Sequence, residues 1–556
     1  MATTTHKMIG QLLLENGKID NNTLETAIEK QSQESGYIGE IILSLGAISE
    51  NDLNDALSYQ LKIPVIALSY FTVEDSVIEL VSERTVRKHK VFPIFKLNNT
   101  INLAVSDPMD ADPMNAVQIQ TGCSIEPIIT TKKEIENAID MYYGISSYLE
   151  TDALQLEQTD ITDLFDESRI VELTNGILEQ SNRYNSSDIH IEPREKNIRI
   201  RFRIDGKLQD FQILPREIMA SLISRVKIMS NMDIAETRRP QDGRILFNSS
   251  DGRLDLRVST YPTLYGEKIV LRLLKTSGKL LTLNDLGFDS KTEETFSGLI
   301  TGAEGIILVS GPTGSGKTTT LYSTLNIIER PDVNIVTIED PIEYDMDNVN
   351  QAQVNRKSGV TFSSALRTIL RQDPDIVMVG EIRDEETVEL AIRAALTGHL
   401  VFSTIHTNDA ASGFTRLLNW DIEPFLITTT VQGIIAQRLV RRICSECRVP
   451  YEPKENELVR LGVDLENSFD CFIGKGCLSC RNTGYRGRIA IIELLTMDET
   501  VAELVLSNAP AYVIRETAMN KGMVSMMEDG ISKINSGITT ISEVYETLGT
   551  VSRMSK

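Results

Sequence analysis

Gly305-Ile-Ile-Leu-Val-Ser-Gly311-Pro-Thr-Gly-Ser-Gly-Lys317-Thr318-Thr-Thr-Leu-Tyr322 decides how the rest of the chain is read. A short apolar run bounded by glycine predicts a strand buried on both faces. The turn after it fits G-x-x-x-x-G-K-[ST], and a helical pattern follows. Phosphate binding needs this layout: glycines let backbone N–H groups converge on phosphate oxygens, and a helix N-terminus adds the positive end of its dipole. The pattern therefore assigns Gly311, Pro312, Thr313, Gly314, Ser315, Gly316, Lys317, Thr318 and Thr319 to a nucleotide. Lys317 would reach the β- and γ-phosphates, and the Thr318 hydroxyl would ligate Mg²⁺. Average composition gives a chance match roughly 0.02 times in a chain of this length.

Downstream, Val333-Asn-Ile-Val-Thr-Ile, Asp375-Ile-Val-Met-Val and His399-Leu-Val-Phe-Ser-Thr-Ile are further apolar runs separated by helical stretches. That alternation predicts a parallel α/β sheet. Two of these strands end in carboxylates: Glu339, Asp340 and Glu343 after the first, Glu381 after the second. Ligands of open α/β sheets sit at the carboxyl ends of strands, where such groups hold Mg²⁺ or orient a water. His399 and His406 bracket the last strand. Their odd separation puts them on opposite faces, so they do not share a metal. His406, at the carboxyl end, is the candidate γ-phosphate sensor, and His399 is carried as a candidate nucleotide contact.

Upstream, segment 169–278 alternates like a strand-rich domain and is rich in arginine, with Arg199, Arg201, Arg203, Arg238, Arg239, Arg244, Arg257 and Arg272. Surface pairing explains most such groups. Phosphoryl transfer also needs cations, and these often come from another domain. Residues 146–168 carry seven acidic groups and no Lys or Arg, as a solvated linker would. Residues 65–145 mix strand and helix. Residues 1–64 hold a repeat: Ile9-Gly10, Gly17, Leu24, Ala27 and Gln31 recur as Ile38-Gly39, Gly46, Leu53, Ala56 and Gln60. Each copy reads as helix, glycine turn and second helix, the latter capped by Asp20 or Ser49.

Beyond the sheet, Cys444-x-x-Cys447 and Cys477-x-x-Cys480 enclose 29 residues, in an insert spanning about 441–485 of a 279–556 domain that ends in a helical tail. Four thiolates at this spacing predict a closed, structural tetrahedral Zn²⁺ site. Cys123 and Cys471 stand alone. With 556 residues, 41% hydrophobic and 24% charged, the chain is an ordinary multi-domain globular protein. A net charge of −23 speaks against a broad nucleic-acid grip. No apolar window is long enough to span a bilayer, and Met1-Ala-Thr-Thr-Thr-His-Lys7 does not read as a signal peptide. The expected location is cytoplasmic.

These motifs together resemble the secretion ATPases that power type II secretion and type IV pilus assembly. The likeness runs over nearly the whole chain. It is carried by the phosphate loop, Ile338-Glu-Asp-Pro-Ile-Glu-Tyr344, Leu370-Arg-Gln-Asp-Pro-Asp-Ile-Val-Met-Val-Gly-Glu-Ile-Arg-Asp384, the Thr397–Asp409 histidine box, Ala436-Gln-Arg-Leu-Val-Arg-Arg-Ile-Cys444 and the tetracysteine insert. The resemblance implies an α/β fold: a RecA-like P-loop NTPase motor domain behind a PAS-like α+β domain, joined flexibly, in a homo-hexamer. It implies ATP hydrolysis with Mg²⁺. Arg257 and Arg272 match arginines that the preceding domain supplies to the phosphates, and Arg367 and Arg371 match arginines of the active-site region. Glu381 matches the catalytic glutamate, and Glu339 an acidic-box glutamate near the γ-phosphate. The implied partners are an inner-membrane platform protein and a membrane-anchored docking protein, with peripheral attachment through them and no direct nucleic acid. A long N-terminal region with a tetracysteine insert implies assembly rather than retraction.

The N-terminal repeat is similar to the MshEN-like module that in some members binds cyclic di-GMP. There each copy opens Arg-Leu-Gly, whereas here Met8 and Tyr37 replace the arginines. A dianionic ligand loses two charge-assisted stacking partners, though Tyr37 offers a ring and Lys7 a charge. Docking to a membrane-anchored partner is the reading preferred for the repeat. The rival readings are a RecA-type DNA translocase or helicase, and a scaffold that binds ATP without hydrolysing it. Intact Lys317, Thr318 and Glu381 oppose the second.

Overall fold

The computed structural model describes residues 9–33, 37–68, 73, 75–78, 80–143, 167–249, 252–274, 281–462 and 470–554. The expected acidic linker lies outside them up to residue 166, as do Lys7, Met8 and the 278/279 boundary. Residues 1–177 with 476–483 form one compact unit, and 178–475 with 484–556 form another.

In the first unit the repeat folds as helices α1 (Ile9–Glu15), α2 (Asn21–Gln33), α3 (Ile38–Ser44) and α4 (Glu50–Leu61). Its core pairs equivalent positions of the two copies: Leu13 with Ile42, Ile19 with Ile48, Ala27 with Ala56. Gly10 and Gly39 let the helices pack closely, since a Cβ on either would sit 2.6 Å from Cδ1 of Leu24 or Leu53 and push that side chain aside. Ser49 caps α4 in a reciprocal box with Asp52, and Asp20 accepts from the Thr23 amide at 2.8 Å. Strands β1 (Phe92–Leu97), β2 (Thr100–Val105) and β3 (Ser124–Ile129) follow, antiparallel then parallel, with the helix Lys132–Tyr142 capped by Thr131.

The second unit opens with a six-stranded antiparallel sheet. Its strands are β4 (Asp188–Pro193), β5 (Asn197–Ile204), β6 (Lys207–Pro215), β7 (Gln241–Ser249), β8 (Gly252–Thr263) and β9 (Gly266–Leu274), in the order β6-β5-β4-β9-β8-β7. Along β5 the apolar Ile198, Ile200, Phe202 and Ile204 are buried, while Arg199, Arg201 and Arg203 face the other way. Register then lines up Arg203, Asp188, Arg272, Arg257 and Arg244 as one row across five strands. Asp188 accepts from Arg272 Nε at 2.9 Å, which offsets part of the repulsion in that row.

Strands β10 (Gly305–Ser310), β11 (Ile335–Glu339), β12 (Val349–Gln353), β13 (Ile376–Val379), β14 (Leu400–Ile405), β15 (Val431–Ile443) and β18 (Tyr485–Thr496) build the second sheet, ordered β12-β11-β13-β14-β10-β15-β18. All its pairings are parallel except β15–β18. The expectation of a parallel sheet is corrected at that edge: the chain returns from the cysteine insert directly beside β15, and a return of that kind runs antiparallel. Among its described residues the insert holds the short strands β16 (Arg448–Pro450) and β17 (Phe472–Gly474), the helix Glu455–Leu461 and a 3-10 turn at Leu478–Cys480. Four helices between Glu499 and Met554 form the tail. No helix among the described residues is long and apolar enough to cross a membrane.

Candidate active site

The apolar β10 ends at Ser310 and the helix Lys317–Ile328 begins seven residues later, so the loop between them lies at the carboxyl edge of the parallel sheet. Gly311, Gly314 and Gly316 all have positive φ, at 149°, 80° and 93°. A Cβ on Gly311 would meet Ser315 Oγ at 2.4 Å and the Gln437 carbonyl at 2.6 Å. That close approach is why the loop can wrap around a phosphate. Lys317 is buried, and its ammonium donates to the carbonyls of Gly311 (2.8 Å) and Pro312 (3.1 Å). Ser315 Oγ is buried with no hydrogen-bond partner among the described residues. An unsatisfied hydroxyl and a half-satisfied ammonium inside one cradle fit a phosphate, which supplies the missing acceptors. Thr318, exposed beside Lys317, would hold Mg²⁺.

Burial pushes the Lys317 ammonium down to about 8, with nearby Glu381 opposing the shift and Arg438 adding to it. A bound phosphate favours the charged form, so binding takes up a proton once the pH exceeds about 8. ATP affinity is therefore expected to fall above pH 8, approaching tenfold per pH unit. Titrations of wild type and Lys317→Arg between pH 7 and 10 check this, because the arginine variant carries no titrating group there.

Three carboxylates lie at or just past the carboxyl ends of β11 and β13, in different states. Glu381 pairs with Arg383, and its Oε2 lies 3.7 Å from His406 Nε2. Burial and the Lys317 charge lower the His406 pKa, so its imidazole is neutral at pH 7 and suited to pass a proton. Glu339 is 3% exposed and fully engaged: Tyr322 donates to one oxygen, Thr337 Oγ1 (2.7 Å) and Gln351 Nε2 (3.0 Å) to the other. Glu343 is half-buried, and burial raises its pKa against the pull of Arg257 and Arg272. The arginines of the six-stranded sheet thus act electrostatically on the acidic turn. Asp340 acts in the same way on Arg383.

Other expected residues do not join this group. His399 precedes β14, whose Leu400 pairs with Gly305 at the start of β10. Six strand residues, about 20 Å, separate it from the loop, and its ring bonds the Ala394 carbonyl at 2.8 Å. Spacing had separated the histidines by face; the structure separates them by strand end. Arg367 and Arg371 are exposed on the helix Phe362–Ile369 and the turn after it, with Arg367 paired to Glu386.

Gln437 on β15 falls in the matched 436–444 stretch, but nothing in the sequence assigns it a role. Its Nε2 donates to the Ser315 carbonyl at 2.8 Å, and its Oε1 accepts from Thr320 Oγ1 at 2.9 Å, so it braces both sides of the loop. Arg383 and Tyr322 are likewise central. Spacing alone reads an aromatic at a helical position as core.

The four cysteines of the insert are all buried, and their sulfur atoms lie within 4.8 Å of one another. Cys477 and Cys480 Sγ are 3.7 Å apart. That matches the edge of a Zn–S tetrahedron, about 3.8 Å for a 2.3 Å bond. The Cys477 amide points at Cys480 Sγ at 3.2 Å, as amides do toward metal-bound thiolates. The donor set fits zinc.

A family model described as "Type II/IV secretion system protein" matches residues 163–546. The chain belongs to that family. An MshEN domain model matches 61–148, the stretch containing β1 to β3, while the helical repeats precede it. The type IV pilus assembly ATPase PilB of Myxococcus xanthus is 41% identical over 553 residues, 96% of this chain and 98% of the relative. The type II secretion system protein E of Xanthomonas campestris pv. campestris is 37% identical over 553 residues, 96% and 97% of the two chains. Among solved structures, the ATPase DotB of Legionella pneumophila shares the fold at a TM-score of 0.51 and 23% identity, over 67% of this chain and 95% of that one. As a member of this family the chain is a P-loop ATPase.

Proposed function

We propose that the chain is the cytoplasmic motor of a type IV pilus or type II secretion machine, a homo-hexamer that spends ATP to add pilin-type subunits. The observation that carries this reading is the acidic turn: Glu343 lies under the field of Arg257 and Arg272 from the other sheet, and its amide bonds Tyr322 of the helix that follows the phosphate loop at 3.2 Å. A motor needs hydrolysis to depend on where its domains stand, and cations lent across a domain boundary make that link.

In this mechanism the loop amides and Lys317 bind the β- and γ-phosphates. Thr318 would hold Mg²⁺, which neutralises charge on the phosphates when bound. Glu381 takes the proton of the attacking water, since both oxygens of Glu339 are engaged elsewhere, and His406 at 3.7 Å relays it. Arg257 and Arg272 stabilise the charge that develops on the transferred group. As phosphate leaves, they lose that partner and the domains shift. An inner-membrane platform protein and a membrane-anchored docking protein would receive the motion.

Counting surface filaments by electron microscopy in a strain lacking the gene, with and without a wild-type copy, tests the role. Filaments are expected only with the copy. Undiminished filaments in the deletion strain, with loss of protein from the culture supernatant, would assign the chain to secretion. A deletion strain with undiminished filaments and an unchanged culture supernatant would overturn the motor reading.

A further inference from the structure

Tyr322 is the sixth residue of the helix that starts at Lys317, and its side chain is fully buried. Its ring packs edge-on against Tyr344, 5.2 Å between centroids. A phenylalanine would fill that space equally well, so the hydroxyl calls for a separate explanation. It donates to Glu339 and accepts from the backbone amide of Glu343 at 3.2 Å, with the Tyr344 amide and Gln351 Nε2 further out at 3.4 Å. Burial and the Glu339 charge raise its pKa, so the proton stays on the phenol and the carboxylate is the acceptor. One oxygen atom therefore ties the phosphate-loop helix to both ends of the 339–344 turn.

We propose that Tyr322 is a positioning residue for ATP hydrolysis: its hydroxyl carries the placement of the Lys317 helix to the acidic turn, fixing Glu339 and the backbone of Glu343 where Arg257 and Arg272 act. This rests on the site reading above. Gln351 completes the frame, joining Glu339 (3.0 Å) to the Tyr344 carbonyl (2.9 Å). Thr337 holds the remaining side of the carboxylate. Thr337 does not reach the phosphate-loop helix and Gln351 meets it only at the Tyr322 hydroxyl itself, so Tyr322 is the hydrogen-bonded link from that helix to the turn among the described residues.

The test is steady-state hydrolysis by the full chain as wild type, Tyr322→Phe, Glu339→Gln and the double variant, with melting temperatures for each. Loss of positioning without loss of phosphate contacts lowers kcat and spares KM. Tyr322→Phe is expected to reduce kcat about tenfold, within the range that a small misplacement costs, and to leave KM for ATP within threefold. Acting through Glu339, it should add little in the Glu339→Gln background. A lower melting temperature with kcat within twofold of wild type would make the hydroxyl merely structural and overturn the proposal. So would independent, multiplying effects in the double variant. Lys317→Ala separates the two levels: if it abolishes hydrolysis while Tyr322→Phe is normal, only this inference fails. If hydrolysis survives Lys317→Ala, the site reading falls and this inference with it.

Discussion

Lys317→Ala is expected to lower ATP hydrolysis about a thousandfold, the upper range for one preorganised donor at a developing charge, without lowering the melting temperature. The Lys317 ammonium is buried with two carbonyls for company, at 2.8 and 3.1 Å. Two neutral acceptors do not balance a buried charge. Its pKa falls from 10.5 to about 8 because burial penalises the charged form. The direction sets the sign of its effect on folding. The unfolded chain binds this proton more tightly than the folded one, so the buried charge costs stability below pH 8, and that cost disappears as the pH rises toward 10.5. At pH 7 the penalty is on the order of 3 kcal/mol. Alanine removes it, against some lost packing of the butyl stem. Calorimetry at pH 7 and pH 10 should show the variant gaining relative to wild type at the lower pH. Hydrolysis above a tenth of the wild-type rate would remove Lys317 from the site. A collapse in melting temperature would show that the side chain is held for structure and not for phosphate.

The same residue marks how far sequence reasoning reached. The phosphate loop was legible because its chemistry is local: the glycines, the lysine and the helix start are consecutive, and no other part of the chain has to be known. The repeated helices were legible for a similar reason, since Leu13 and Ile42 or Ala27 and Ala56 repeat at one offset and meet in one core. Residues that act through the sheet were not. Strand β12, Val349-Asn-Gln-Ala-Gln353, is polar and sits at an edge, so no apolar run announces it. Gln437 looks ordinary until β15 pairs with β10 and brings it beneath Ser315. The arginines show both outcomes. Alternation assigned Arg199, Arg201 and Arg203 to one face of β5, but only cross-strand register puts Arg203, Arg272, Arg257 and Arg244 in a single row. His399 and His406 belong to one motif. The strand between them leaves one beside Glu381 and the other bonded to Ala394 at the far edge.

Cys477→Ser is expected to abolish metal binding and open the insert. Between Ile443 and Tyr485 the described residues hold two three-residue strands, one seven-residue helix and a three-residue 3-10 turn. A two-stranded sheet of that length is not stable by its own pairing. The apolar groups buried there are few, Leu461 and Leu478 among them. Backbone bonds near the two Cys-x-x-Cys turns include the Cys444 amide on the Gly484 carbonyl at 2.9 Å and the Lys475 amide on the Cys447 carbonyl at 3.1 Å. A four-thiolate zinc site adds about 10–16 kcal/mol of apparent binding free energy at neutral pH, far more than those contacts. Serine keeps the shape but is a poor zinc ligand, so the variant should carry no zinc where wild type carries one per chain, measured by elemental analysis. Limited proteolysis should then cut between residues 444 and 484. Damage should stop at β15, because Arg441 is tied to the tail. Its side chain meets Glu543 at 2.5 Å, and its carbonyl accepts from Thr539 Oγ1 at 2.8 Å. The Ile443 amide adds a bond to the Ile538 carbonyl at 2.8 Å. A Cys477→Ser chain that keeps a full equivalent of zinc and resists cleavage would remove Cys477 from the metal site. Loss of zinc with no new cleavage would show that the short strands and Leu461 hold the insert closed without the metal.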